Sequence, residues 1–403
     1  MRSPKPAIRT AALRRAWPLW AALILIGVIA SGFCFSSRGR PALASAFLLP
    51  DMMVDLPVRP VTWFTDEPRV DRTYIDYGAG RILADIYRPD DGDRHAAVIF
   101  SMGAPPLDLD DSRLVKLAED AARAGLVMIV PFSERLDAER VEPEEADALA
   151  GIFQYAQQQP YIDRSRIGYI GVSVGGSLAL LAAEDPRIAD QVDFVVSFGG
   201  GADALDVLKA TGSHHIEYDG VDESWEPDDH TVEVMALQLV FELSDERDRA
   251  TICKAFVDSW DWDLCDTTFD DLDPLGADDI ASLTPEGRVV FNFMSSGDPA
   301  IVNELAAQLP QGVLDKMEAL SPDRGIDRLR AELYLIHDRG DKFIPYVESR
   351  RLRDALAGRG DVHVTEVSLF EHVEPRLSRG GDIIVIDGAR LYFRLYQLLL
   401  KLT

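Results

Sequence analysis

From about Val70 onward the chain alternates short apolar runs with amphipathic ones, and this rhythm restricts the possible folds more than any other feature. Residues 81–87 alternate with period two and stop at Pro89, and residues 96–101 form a short apolar run ended by Gly103. Both read as strands. Residues 114–124 are amphipathic with Gly125 behind them, a helix with its stop signal, and 126–130 is a buried strand ended by Pro131. The same reading makes 144–158 and 176–184 helices, and 166–172, 192–198, 331–336 and 363–370 strands. A last helix is expected over 388–400, its Leu391, Leu395, Leu398 and Leu399 on one face that packs on the sheet. Strands alternating with helices predict an α/β fold: a mostly parallel central sheet with helices on both faces.

The strongest chemical signal lies where one strand meets the next helix, at Arg166-Ile167-Gly168-Tyr169-Ile170-Gly171-Val172-Ser173-Val174-Gly175-Gly176. A strand running into Gly-x-Ser-x-Gly and then a small-residue helix is the context of a nucleophile elbow. The sharp turn puts Ser173 in strained backbone geometry, and Gly171 and Gly175 remove the Cβ atoms that would collide there. The helix N-terminus behind Ser173 favours negative charge developing beside it. A serine nucleophile needs a base, and of seven histidines His372 stands just past the last strand, at the carboxyl edge where parallel sheets bind ligands. The acid that orients it is expected at the end of the preceding strand, where Asp341 is the first choice and Asp338 the second. Glu371 and Glu374 read as solvated neighbours of His372.

The elbow at Ser173, the His337-x-x-x-Asp341-x-x-Ile344-Pro345 segment and the late His372 together resemble the α/β-hydrolases, most of all the dienelactone-hydrolase-like and prolyl-oligopeptidase-like branches. The resemblance covers about Val70 to Thr403 apart from an insertion. It implies Ser173 as nucleophile, His372 as base and Asp341 as acid, with the backbone amides of Met102 and Val174 as the oxyanion hole and Gly103 an alternative donor. This chain has Ser101-Met102-Gly103 where the family often has His-Gly. The expected function is a serine hydrolase acting on an acyl bond, a carboxylic ester before a peptide. A membrane-anchored peptidase, an acyltransferase of the same fold and a non-catalytic binding protein of that fold are the alternatives.

Residues 201–321 break the rhythm. They hold 28 acidic and 6 basic residues, so 6 − 28 = −22 of the chain's net −27 sits in less than a third of its length. Helices are expected there over 231–241 and 300–309. Such an insertion reads as a lid over the site or as a solvated acidic face, and in either case neutral or cationic acyl substrates are expected over polyanions. Asp261, Asp263, Asp266, Asp270 and Asp271 suggest a calcium loop, but Asp266 stands where an EF-hand needs Gly and Leu272 where it needs Glu. No metal is expected, and no cofactor: the chain has no phosphate-binding glycine loop followed by Lys and no zinc-type spacing of Cys and His.

The amino terminus carries Arg2, Lys5, Arg9, Arg14 and Arg15 and no acid before an uncharged run over 16–35. Twenty helical residues rise about 30 Å, the depth of a bilayer's hydrocarbon core. The organisation expected is therefore a basic cytoplasmic segment (1–15), a transmembrane signal anchor (16–36), a linker (37–69), a first core part (70–200), an acidic cap (201–321) and a second core part (322–403), with the catalytic domain on the extracytoplasmic side. Secretion after cleavage near Ala42 to Ala46 is the alternative. Cys253 and Cys265 could pair in that compartment or stay as buried thiols. The acidic balance excludes a nucleic-acid partner, since phosphate binding relies on clustered Lys and Arg.

Overall fold

A computed structural model describes residues 36–53, 60–63, 65–78, 80–258, 265, 275–372, 374–376, 378 and 380–403. The run over 16–35 and the aspartates of the candidate calcium loop lie outside the described residues. Among those described, no helix is long and apolar enough to cross a membrane, and no three or more His, Cys, Asp or Glu side chains are grouped so as to hold a metal ion.

The core is one eight-stranded sheet made of β1 (Arg69–Tyr77), β2 (Gly80–Arg88), β3 (His95–Ser101), β4 (Val127–Phe132), β5 (Ile162–Val172), β6 (Phe194–Phe198), β9 (Glu332–Asp338) and β10 (Val362–Val367). Its spatial order is β1-β2-β4-β3-β5-β6-β9-β10, and β2 alone runs opposite to the other seven strands. A two-stranded hairpin, β7 (His215–Tyr218) and β8 (Val221–Ser224), lies in the insertion.

Period-two side-chain alternation builds both faces of this sheet. Ala97 and Ile99 of β3, Val195 of β6 and Leu333 and Leu335 of β9 enter one apolar cluster with the helices Glu144–Gln158 and Val174–Ala183. Their neighbours Ala96, Val98, Phe194, Val196 and Tyr334 face the other way, toward Leu48, Leu398 and Leu399. Runs buried on both faces are what a central parallel sheet requires, so they read as strands without a polar side.

The helix Glu144–Gln158 has the bounds expected, and the other expected elements fall within a few residues of theirs, with two informative exceptions. The last helix runs Gly381–Leu402, seven residues earlier than expected, because Asp387 accepts the Ser368 amide at 2.8 Å and Ile384 packs into the core, which holds a helical turn on either side of Gly388. The segment expected as a linker contains the helix Gly39–Met53, whose Leu48 packs with Leu398, Leu399 and Leu402. β1 was not separately anticipated; it is an edge strand with only Ile75 buried, so its pattern carries little hydrophobic signal.

The insertion enters after β6 and returns to β9, and contains the helices Ala204–Ser213, Asp229–Val240, Glu246–Phe256, Ala277–Ser282, Pro285–Ser295, Pro299–Ala306 and Gln311–Ala319. Leu208, Ala236, Phe293 and Met317 from these helices join the same apolar cluster as Leu178 and Leu180 of the core. Cys253 and Cys265 form a disulfide.

Candidate active site

Ser173 stands between β5 and the helix Val174–Ala183 with φ 57° and ψ −136°, a region that non-glycine residues avoid. The turn is tight enough that a Cβ on Gly171 would come within 2.2 Å of the Gly175 carbonyl oxygen, and one on Gly175 within 2.3 Å of the Ser101 and Met102 oxygens. The two glycines flanking Val172-Ser173-Val174 are therefore required by contact. The Ser173 amide donates to the Phe198 carbonyl at 2.8 Å, which ties the elbow to β6.

Asp341 follows β9 and is 2% exposed. Its Oδ1 accepts the amides of Phe343 (2.7 Å) and Ile344 (3.1 Å), and its Oδ2 lies 2.8 Å from His372 Nδ1. Burial alone raises its pKa, but hydrogen bonding and charge from His337 and His372 outweigh this and hold the carboxyl well below the usual range. His337 is fully buried, its Nε2 3.0 Å from the Ile344 carbonyl, its Nδ1 2.7 Å from Ser349 Oγ, and Nε2 3.5 Å from Asp341 Oδ2. Asp338 is spent on structure: Oδ1 accepts the Gly340 amide and Oδ2 the Phe370 amide, each at 2.7 Å. Glu371 pairs with Arg376.

His372 has φ 55°, in the turn that reverses the chain between the short antiparallel strands Phe370–Glu371 and Glu374–Pro375. Phe343 stacks on its ring with centroids 4.4 Å apart and planes inclined 21°. Among the described residues Ser173 Oγ and His372 are not hydrogen-bonded to each other, but both border the carboxyl end of β6 around Gly199. Gly199 has φ +68°, and a Cβ there would sit 3.3 Å from Asp341 Oδ2 and 3.4 Å from His372 Cε1. Gly103 approaches Ser173 closely, its Cβ position 3.1 Å from Ser173 Cβ, and Met102 is buried beside it.

Four other histidines are occupied elsewhere, His95 with Asp91, His214 with Glu226, His215 with Asp222 and His363 with Glu332. His230, like these four, is not singled out by the sequence. It lines the same cavity as Ser173, its Nε2 3.5 Å from the Ala104 carbonyl.

That cavity, of about 90 Å³, lies between the elbow helix and the insertion. Val141, Leu178, Val207, Val234, Met235, Met317 and Leu320 make it largely apolar, with His230, Thr231, Gln238 and Ser177 as its polar groups. Among the described residues no carboxylate lines it, although Glu139 and Glu233 stand 3.9 and 3.8 Å from His230 Nδ1. The insertion also leans on the loop that carries Asp341. Trp225 Nε1 donates to the Asp341 carbonyl at 2.7 Å, and the Asp228 amide donates to the Lys342 carbonyl at 2.9 Å. At the insertion's entry, buried Glu348 accepts the Ala202 and Asp203 amides at 3.0 Å each, and burial pushes its carboxyl up to about 7.

A sheet of this order with β2 alone reversed, and a strained serine between its central strand β5 and the following helix, decides the architecture. The fold is that of the α/β-hydrolases. No protein-family model and no curated protein matches the chain. Among solved structures it is similar to a hyperthermophilic esterase from Pyrobaculum calidifontis, at 15% identity and TM-score 0.46, covering 94% of this chain and 96% of that one. It is also similar to the Pyrococcus horikoshii acylaminoacyl peptidase (14% identity, TM-score 0.44, 85% of this chain) and Porphyromonas gingivalis dipeptidyl peptidase 4 (12%, 0.47, 84%). The chain spans only 42% and 36% of those two peptidases. At such identities and TM-scores these likenesses say nothing about substrate.

Proposed function

We propose that the chain is a serine hydrolase that cleaves a neutral carboxylic ester. Ser173 Oγ attacks the acyl carbonyl while His372 accepts its proton, and the new oxyanion is held by the amides of Val174 and Met102. The C–O bond to the alcohol then breaks as His372 returns the proton to the leaving oxygen. Water, deprotonated by His372, releases the acid and restores Ser173. Asp341 holds the imidazole with its proton on Nδ1, leaving Nε2 free to act as the base.

The observation that carries this reading is the buried 2.8 Å Asp341–His372 pair beside a serine held at φ 57°. The largely apolar cavity, which no carboxylate lines among the described residues, favours a neutral acyl group over a cation or an anion. The protein is proposed to be anchored by residues 16–36 with this domain outside the cytoplasm; the Cys253–Cys265 disulfide suits that compartment. Labelling with a fluorophosphonate probe tests the chemistry. Wild type should label and Ser173→Ala and His372→Ala should not; a folded wild type that fails to label sinks the proposal.

A further inference from the structure

The helix Gly381–Leu402 is apolar on two sides, whereas a surface helix ordinarily turns a polar face outward. One side buries Leu391, Leu398, Leu399 and Leu402 in the core. The other exposes Val385 (70%), Ile386 and Phe393 (53% each) and Leu400 (41%). Ile386, Phe393 and Leu400 recur every seven residues and so stay on one face, drifting by only about 20° per heptad. The helix Gly39–Met53 lies alongside: Tyr392 Oη donates to the Ala42 carbonyl at 3.1 Å, and Ala44 and Leu48 pack with Leu395 and Leu398. That second helix exposes Leu43 and Phe47, spaced by four residues.

Two observations say what covers this face. The uncharged run of the sequence ends at Phe35, and the helix bearing Leu43 and Phe47 starts at Gly39, 39 − 35 = 4 residues later. Residues 36–53 and 381–402 carry Arg38, Arg40, Arg390, Arg394 and Lys401 against Asp51, Asp382 and Asp387, a sum of +2 in a chain of net −27. Of these cations Lys401 holds Asp193 and Glu332, Arg394 holds Thr365 and Arg390 holds Asp387, whereas Arg38 and Arg40 are exposed at the start of the helix Gly39–Met53. An apolar stripe with exposed Arg at one end suits the headgroup boundary of a lipid bilayer, where the apolar side chains sink about 5–10 Å and the cations stay with the phosphates.

We infer that the outer faces of the helices Gly39–Met53 and Gly381–Leu402 form a bilayer-docking surface that lays the catalytic domain on the membrane. The inference rests on the proposed anchoring only in using the run over 16–35 to bring this face to a bilayer. The occupants it rejects are that run itself, folded back on the face, and a second copy of the chain.

The test uses the full chain carrying Cys34→Ser, with a spin label on Phe393→Cys, on Phe47→Cys, or on the hairpin control Val221→Cys, whose native residue is also exposed. In vesicles of phosphatidylcholine with a minority of phosphatidylglycerol, labels at 393 and 47 should become about tenfold less accessible to an aqueous nickel chelate while staying accessible to oxygen. The label at 221 should not change. Labels at 393 and 47 as open to the chelate as that at 221 would overturn the inference. Shielding already present without lipid would also overturn it, in favour of residues 16–35 if independent of dilution and of a second copy if lost on dilution. Alkaline carbonate extraction reads the anchor separately: a chain that resists extraction but leaves both labels open keeps the anchor and loses the docking face.

Discussion

Replacing Asp341 by Asn separates the proposed chemistry from the scaffold around it. The Asn carbonyl can still accept the Phe343 and Ile344 amides now held by Oδ1, so the loop after β9 should keep its shape. The change falls on the other atom. Where Oδ2 faces His372 Nδ1 at 2.8 Å, an amide NH2 would donate, and the ring could meet it only by accepting at Nδ1. The imidazole proton then moves to Nε2, the nitrogen required to take the serine proton. A wrong tautomer of this kind costs about 10⁴ in kcat, or roughly 5.4 kcal/mol at 1.36 kcal/mol per tenfold. The assay is kcat/KM on p-nitrophenyl butyrate together with the second-order rate of fluorophosphonate labelling, each per folded molecule from near-UV circular dichroism. A folded Asp341→Asn whose rates stay within about tenfold of wild type would refute the assignment. Asp338→Asn is the matched control. It forfeits one of two backbone bonds in a buried site, so it should lose about 1–3 kcal/mol of stability while its folded fraction keeps its rate. The pH dependence carries the same signature. Because the folded state holds the Asp341 carboxyl below its ordinary value, its contribution is complete above about pH 4 and drains away as pH falls further, so Asp341→Asn should flatten the acid limb of the Tm profile.

Three further outcomes are expected. Gly199→Ala adds a methyl 3.3 Å from Asp341 Oδ2 at a φ of +68°, and should lower kcat/KM at least about tenfold and the stability by about 1–3 kcal/mol, read by ester kinetics and thermal unfolding. Glu184→Gln should raise Tm increasingly between pH 4.5 and about 8: burial pushes the wild-type carboxyl up to about 8, so its ionisation is resisted in the fold and wild-type stability falls across that range. Val207→Phe should fill much of the cavity and shift preference across a series of p-nitrophenyl esters toward shorter acyl chains, with fluorophosphonate labelling retained.

Much of the architecture was legible from residue pattern alone because its signals are local. A strand buried on both faces needs a continuous apolar run, and β3 has one over 96–100, β5 over 167–172 and β9 over 333–336; a turn that brings Gly171 within contact of Gly175 admits no side chain at either position. Ser173 was therefore visible without coordinates, as were His372 and Asp341 at the carboxyl ends of strands. Where local signals are weak or overruled, expectation and structure part. Gly388 reads as a helix boundary but sits inside a helix, because Asp387 and Ile384 are held by partners distant in sequence. The helix Gly39–Met53 sits in a segment expected as a linker, and what fixes it is contact with the last helix, more than three hundred residues away.

The sequence by itself determined the alternation of core strands and helices, the place of the elbow, and the imidazole and the two carboxylates that could serve it, since each depends on periodicity or on the sterics of a few adjacent residues. The choice between Asp341 and Asp338 needed the fold, because both are buried and only the path of the chain sends one carboxylate to His372 and the other to backbone amides. The same holds for Phe343 against the His372 ring, His230 in the cavity wall and Gly199 beneath the pair. Composition placed 28 acids in the insertion, but only packing decided that, among the described residues, none of them lines the cavity beside Ser173: which side of a helix faces a neighbour depends on where that neighbour lies.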